Sequence, residues 1–198
     1  MNFFLRLRHW QLFLLMIAVP FLFQIIFMGA MISAHNTSLM LVLFPIIMIC
    51  FMGTYFGWLY TVGKAMHEKL PYELRGRLRR FQLTLLIPAI YMLCLSLFIG
   101  VIGQSGHVPG NNSAGAFVAI VIPLHLFSMV CIFYSLYFCA KALKAAEWQG
   151  PVTFSDFAGE FFLLWFFPIG VWIIQPRVNR LAAEEGPGNQ LAEGQIFP

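Results

Sequence analysis

Charged side chains are scarce in this sequence. Asp, Glu, Lys and Arg make up 10% of its 198 residues, whereas soluble domains carry about 25%. So few charges cannot cover a folded domain with a hydrated surface. The 60% share of hydrophobic residues and the mean hydropathy of +0.80 agree with this. We therefore exclude a soluble globular domain and expect an integral membrane protein.

Motifs that support catalysis are also missing. Asp156 is the only aspartate in the sequence, and no stretch offers the clustered carboxylates that hold Mg²⁺ for phosphoryl transfer. The sequence contains no Gly-rich phosphate loop, G-x-S-x-G, H-E-x-x-H or C-x-x-C motif. These are signatures of nucleotide-binding proteins, serine hydrolases, zinc proteases and thiol oxidoreductases. The sequence therefore predicts neither an enzyme nor a cofactor.

Four long apolar segments make up about half of the chain: 10–34, 38–62, 81–103 and 116–140. None of them contains Asp, Glu, Lys or Arg. About 20 apolar residues cross the hydrocarbon core as an α-helix, and a helix bonds its backbone groups internally, as lipid requires. The sequence predicts an all-α integral membrane protein with four transmembrane helices.

The basic residues indicate the orientation of these helices. Two of them, Arg6 and Arg8, precede the first segment, and two, Lys141 and Lys144, follow the fourth. Six more lie between the second and third segments: Lys64, Lys69, Arg75, Arg77, Arg79 and Arg80. The other two connections are uncharged, so the positive-inside rule places the N-terminus in the cytoplasm. The first segment is too long for a signal peptide. We expect a multi-pass protein of a cell membrane, of the bacterial inner-membrane type.

The second and fourth segments end alike. LYTVGKAM begins at Leu59 and LYFCAKAL begins at Leu136, and Pro45 and Pro123 also correspond. This similarity predicts two helical hairpins repeated in the same orientation, as in transporters built from parallel repeats. The alternative is that segments ending at the same membrane interface converge in composition.

A fifth apolar segment, 158–174, raises a question of topology. Its 17 residues would reach about 26 Å as a straight helix, against a hydrocarbon core of about 30 Å. We expect Pro168-Ile169-Gly170 to reverse the chain, which gives a re-entrant element followed by an in-plane helix over 171–183 and a cytoplasmic C-terminus. The alternative is five spanning helices. In either case, residues 1–183 form one membrane domain, and residues 184–198 form a flexible tail.

Two ionisable residues are candidates for a transport or proton site. Glu160 is the one carboxylate expected near membrane depth, and His125 lies near the middle of the fourth segment. Ionisable groups inside a membrane often carry function. The alternatives are that Glu160 lies at the interface and that His125 is a neutral hydrogen-bonding group between helices.

Soft ligand atoms at similar depth suggest a second kind of site. Thioethers, thiols and an imidazole suit Cu(I), and the candidates are Met48, Cys50, Met52, Cys94, His125, Met129 and Cys131. Met and Cys are also ordinary fillers of apolar packing, and no metal-binding motif is present. Whether a metal binds stays open at this point.

The connection 67–80 is strongly basic. Lys64, just after the second segment, and Lys69, Arg75, Arg77, Arg79 and Arg80 within the connection could bind anionic lipid head groups at the cytoplasmic face. The same charges also serve as a topology determinant. Because they flank apolar segments, we do not expect nucleic acid as a partner.

These patterns favour a non-enzymatic subunit that assembles with other membrane proteins or with itself. The alternative is a small transporter or channel for an ion or small solute, in which Glu160, His125 and Gln24 line the path. A membrane enzyme is the third possibility.

Overall fold

The computed structural model describes residues 3–34, 38–105 and 111–183. Within these ranges the fold is all-helical and contains no β-strand. The predicted tail, 184–198, lies outside the described residues.

Long helices carry the four apolar segments. The first is made of α1 (His9–Phe13), a π-helical stretch (Leu14–Ala18) and α2 (Val19–Ala34). The others are α3 (Ser38–Glu68), α4 (Leu78–Ser105) and α5 (Asn111–Trp148). Among the described residues, four stretches are long and apolar enough to cross a membrane: His9–Gly29, Pro45–Glu68, Leu78–Val101 and Gly115–Trp148. This agrees with the four transmembrane helices expected from the sequence.

Prolines do not interrupt α3, α4 or α5, because each of these helices runs through its internal proline: Pro45, Pro88 and Pro123. The first helix differs. Pro20 has no N–H to donate to the carbonyl oxygen of Met16. Met16 lies in the π-helical stretch, whose turns are wider than those of an α-helix.

Helix α5 is longer than the segment predicted for it. It continues from 140 to Trp148 and ends shortly before Gly150-Pro151. Its 38 residues correspond to about 57 Å, so that a helix crossing a core of about 30 Å extends well beyond it. Lys144 and Glu147 are therefore helical residues.

Contacts divide the chain into two compact units. The first, here the charged unit, contains the described residues of Met1–Phe13, Gly57–Gln82 and Ser135–Pro198. The second, here the uncharged unit, comprises Leu14–Phe56 and Leu83–Tyr134. All twelve Lys and Arg residues lie in the charged unit, whereas the uncharged unit contains no Asp, Glu, Lys or Arg.

The two units differ in what they bury. In the charged unit, Trp58, Phe81, Phe157 and Ile174 are completely buried. In the uncharged unit, large apolar side chains lie mainly on the surface; Ile120, for example, is 68% exposed. An apolar surface of this extent is suited to lipid or to another protein and not to water.

Two short helices occupy the place of segment 158–174. Helix α6 (Phe154–Trp165) ends at Phe166, whose φ of −86° and ψ of 54° are not helical, and α7 (Phe167–Ala183) follows at once. Pro168 is thus the second residue of α7. Backbone N–H groups in the first turn have no partner within the helix, so proline removes no helical hydrogen bond at this position. The chain therefore breaks two residues before the predicted reversal.

Helices α6 and α7 form a helical hairpin within the charged unit. Gly170 packs so closely against the carbonyl oxygen of Leu163 that any Cβ at this position would overlap it. At the other end of α6, the backbone N–H and the hydroxyl of Thr153 both donate to Asp156 Oδ2 at 2.7 Å, which fixes where the helix begins. With 12 and 17 residues, the helices measure about 18 and 26 Å.

Candidate functional site

Four ionisable side chains meet in the charged unit, and we call them the charge network. Lys144 and Glu147 lie three residues apart near the end of α5, so they share one face of that helix. Glu160 lies in the middle of α6, and Arg177 lies in α7. The network thus joins three helices.

Arginine is the centre of the charge network. Arg177 Nε donates to Glu147 Oε1 at 2.6 Å, and Nη2 donates to Glu147 Oε2 at 2.5 Å. The same Nη2 donates to Glu160 Oε1 at 2.6 Å, and Lys144 Nζ donates to that oxygen at 3.3 Å. Bidentate pairs of arginine with carboxylate are among the strongest side-chain hydrogen bonds.

The network is electrically balanced, with two carboxylates facing two cations. Burial raises the pKa of the Glu160 carboxyl. The hydrogen bonds from Arg177 and Lys144 and the charge of Arg177 together lower this pKa by more than burial raises it, so the net pKa lies below its ordinary value. The hydrogen bond to Glu147 and the contact with Glu160 raise the pKa of Arg177 above its ordinary value. Glu160 and Arg177 are therefore both charged at neutral pH.

This balance limits what the network can do chemically. The Glu160 side chain is only 7% exposed and already has two cationic partners. A carboxylate held in this way lacks the open position that a transported cation requires. The arrangement is suited to fixing α5, α6 and α7 together, since removing one member leaves its partners charged in a buried place.

A second polar cluster holds the N-terminal segment. Trp58 Nε1 donates to Gln175 Oε1 at 2.8 Å. Gln175 Nε2 donates to the carbonyl oxygen of Phe4 at 2.8 Å and lies 3.0 Å from that of Leu7. Asn179 Nδ2 also donates to the Leu7 oxygen, at 3.0 Å. These bonds fix residues ahead of the first apolar segment to α3 and α7.

His125 lies in the uncharged unit, on α5, and is exposed. Its Nδ1 lies 3.3 Å from the hydroxyl of Tyr91 on α4, and the two rings are T-shaped with centroids 5.9 Å apart. Tyr91 itself is buried. One ring nitrogen is therefore oriented by a buried hydroxyl, while Nε2 has no partner among the described residues.

The structure brings together only some of the candidate metal ligands. Met48 and Met52 on α3 and Met92 on α4 line one cavity of about 270 Å³. The other candidates do not line it. His125 contacts Tyr91. Cys50, Cys94 and Met129 are exposed, whereas Cys131 is buried. Within the described ranges, no three His, Cys, Asp or Glu side chains are grouped to hold a metal ion.

Gln24, which we considered for a transport path, lines a separate cavity of about 290 Å³ in the uncharged unit. The remaining lining residues are apolar and come from the first apolar helix and from α3. A single amide in an apolar cavity provides one polar contact and not a continuous path.

The basic connection is ordered around short backbone contacts. Lys64 pairs with Glu68 at 3.8 Å, and Arg75 donates to the carbonyl oxygens of Leu70 and Glu68. Lys69 is half-buried. The remaining three predicted lipid contacts are exposed, and they are Arg77, Arg79 and Arg80.

Sequence reasoning singled out Glu160 but missed its partners. Glu147 and Arg177 are 30 residues apart, and their contact depends on α7 folding back along α6. The i, i+3 spacing of Lys144 and Glu147 was a usable signal, because it places opposite charges on one helix face. Nothing in the sequence indicated that Tyr91 and His125 would meet.

Comparison of the chain with protein-family models, curated proteins and solved structures finds no match.

Proposed function

We propose that this chain is a non-enzymatic integral membrane protein that works as a subunit of a membrane assembly. The contact surface is the face of α5 that carries His125. A second copy of the chain occupies this surface in the simplest assembly.

The observation that carries this proposal is an exposed imidazole in a unit without charges. The Tyr91 hydroxyl lies 3.3 Å from Nδ1 of His125, and Nε2 of this exposed side chain has no partner among the described residues. In hydrocarbon, a polar group without a partner is unfavourable, whereas histidine side chains stabilise contacts between membrane helices by hydrogen bonding across them. A second helix with a polar group satisfies Nε2.

A second copy is chemically suited to this role. An imidazole can present Nε2 either as a donor or as an acceptor, depending on the tautomer, and the Tyr91 hydroxyl can match either state at Nδ1. Two identical faces related by a twofold axis can thus form an Nε2–H···Nε2 bond, with His125 contacting His125 of the second copy.

The alternative, a transporter or channel using Glu160 and His125, receives less support. Glu160 is held by Arg177 and Lys144 in the charge network. The hydrogen bond of His125 goes to Tyr91, and one such pair does not make the series of titratable groups that a proton relay needs.

For the topology, we propose two repeated hairpins with the N-terminus in the cytoplasm of a bacterial cell and α6–α7 as a re-entrant or in-plane hairpin that returns to the same side. The support is that all twelve basic residues belong to the charged unit, as the positive-inside rule requires of a cytoplasmic side. A reporter joined after Pro198 should be active in the cytoplasm. Activity only outside the membrane would favour five spans.

Cross-linking in the native membrane tests the assembly surface. In a variant with Cys50 and Cys94 replaced by alanine, Met129→Cys places a thiol one turn from His125, and both positions are exposed. We expect oxidation to produce a dimer, or a cross-link to one other membrane protein. Adding His125→Leu should reduce the yield about threefold.

The matched control is Ile90→Cys on α4, which is 51% exposed but does not share the helix face of His125. It should cross-link less than Met129→Cys and should not respond to His125→Leu. Equal cross-linking at both positions, or no effect of His125→Leu, would contradict the proposal.

A further inference from the structure

The connection between α3 and α4 has a defined shape. Arg75 Nε donates to the carbonyl oxygen of Leu70 at 3.0 Å, and Nη2 donates to that of Glu68 at 3.2 Å. Between these contacts, Tyr72–Leu74 form a single 3₁₀ turn that starts after Pro71. A topology determinant needs only its charge, so this internal bonding calls for a further explanation.

The same connection is fixed against α5 around Phe138. His67 Nε2 lies 2.8 Å from the carbonyl oxygen of Gly76. The ring of Phe138 stacks on Phe81 with centroids 4.5 Å apart, and it lies so close to Gly76 that a Cβ there would be 3.2 Å away. Lys141 lies three residues after Phe138 on α5, so it shares that side of the helix.

These contacts bring four exposed cations to one region: Arg77, Arg79, Arg80 and Lys141. None of the four forms an ion pair or a side-chain hydrogen bond with the described residues. Two carboxylates on the flanking helices have other partners, since Glu68 pairs with Lys64, and Glu147 pairs with Arg177. The one acid within the connection, Glu73, is exposed.

Tyr72 lies on the turn that precedes the arginines, and its side chain is 88% exposed. Pro71 starts this turn with a φ of −54°. A phenol has an apolar ring and a polar tip, which suits the level of lipid head groups. Such exposure of an aromatic ring has no packing role within the described part of the chain.

We propose that Tyr72, Arg77, Arg79, Arg80 and Lys141 form a binding surface for the phosphate head group of an anionic phospholipid. Arginine presents a planar fork of donors that matches phosphate oxygens, whereas lysine acts as a point charge. The surface includes the start of α4, and the apolar part of that helix follows Arg80, so a bound head group leaves its acyl chains beside the helix. This proposal does not depend on self-association through His125.

The test measures lipid preference of the full chain in nanodiscs. The protein is reconstituted in phosphatidylcholine with graded phosphatidylglycerol, and retained lipids are counted by native mass spectrometry. The triple variant Arg77→Lys, Arg79→Lys, Arg80→Lys keeps the charge and therefore the topology. We expect its preference for phosphatidylglycerol to fall about threefold, and Tyr72→Ala should lower it as well.

The matched control is Arg8→Lys combined with Arg180→Lys, since both residues are exposed and lie outside the surface. This pair should leave the preference unchanged. An unchanged preference in the triple variant would overturn the proposal, because charge alone would then explain the binding. Inorganic phosphate that binds the detergent-solubilised protein and displaces the lipid at equal concentration would also overturn it, in favour of a soluble anion.

Repeating the measurement with His125→Leu separates the two proposals. Loss of oligomers with unchanged lipid preference leaves the lipid surface intact. Loss of lipid preference on losing the oligomer would show that the surface forms only between copies, and it would overturn the proposal for the single chain.

Discussion

Trp58 and Gln175 are 117 residues apart in sequence and are joined by a hydrogen bond of 2.8 Å. Both side chains are completely buried, which makes this bond strong and its loss unfavourable. Through its amide nitrogen, Gln175 also holds the carbonyl of Phe4. One side chain thus links α3, α7 and the N-terminal segment.

Replacing Gln175 tests this link. Gln175→Leu keeps the volume but removes the acceptor of the Trp58 indole N–H bond and the donor to the Phe4 carbonyl oxygen. We expect a loss of about 2 kcal/mol in the free energy of unfolding and faster hydrogen exchange at the amides of residues 3–8. Gln82→Leu is the control, because Gln82 makes one exposed bond of 3.4 Å to Tyr60. Equal exchange in the two variants would count against the link.

Replacing Glu160 tests the charge network. Glu160→Gln removes the carboxylate that pairs with Lys144, which is also one of the two carboxylates that pair with Arg177. A largely buried cation then loses its counter-charge. We expect a loss of about 3 kcal/mol, measured by denaturant unfolding in detergent. Glu73→Gln makes the same chemical change at an exposed position and should have no effect. An unchanged free energy of unfolding in Glu160→Gln would mean that the network does not stabilise the fold.

The lowered pKa of Glu160 predicts a dependence of stability on pH. A carboxyl whose pKa is lower in the folded state than in the unfolded state stabilises the fold above the unfolded value, and this stabilisation is lost as pH falls through the folded value. The stability difference between the native chain and Glu160→Gln should therefore be constant from pH 7 to about 5 and shrink at lower pH. Thermal unfolding midpoints across this range provide the measurement. A difference that grows on acidification would contradict the sign of the shift.

Two glycines in the α6–α7 hairpin should respond differently to alanine. At Gly170 a Cβ would overlap the carbonyl oxygen of Leu163, which is backbone and cannot move aside, whereas at Gly159 nothing lies within 4 Å. We expect Gly170→Ala to open the hairpin and to increase protease cleavage between α6 and α7. Gly159→Ala should be neutral or should stabilise α6 by up to about 1 kcal/mol. Similar behaviour of the two variants would contradict the close approach.

The long helices could be predicted from the sequence because more than 20 uncharged residues in a row admit one backbone structure in lipid. The break at Phe166 could not be located as well, since Pro168 fits both a turn and the first turn of a helix. The predicted reversal at Pro168-Ile169-Gly170 therefore falls within the first turn of α7, after the break that the structure has at Phe166.

The partners within each cluster were harder to predict than the residues themselves. Glu160 and His125 attract notice because ionisable groups are rare in apolar segments. Their partners, Arg177 and Tyr91, become visible only when the rotation of each helix about its axis is known. For Tyr91 and His125, a mean hydropathy or a span boundary does not contain that rotation, because the uncharged parts of α4 and α5 are apolar on nearly all sides.

The most direct test of the central claim is native mass spectrometry of the chain extracted gently from the membrane in which it is made. The account predicts particles that contain two or more copies, or one copy with a stoichiometric membrane partner, and it predicts that His125→Leu dissociates them. A single copy without a protein partner, unchanged by His125→Leu, would contradict the proposal that this protein is an assembly subunit.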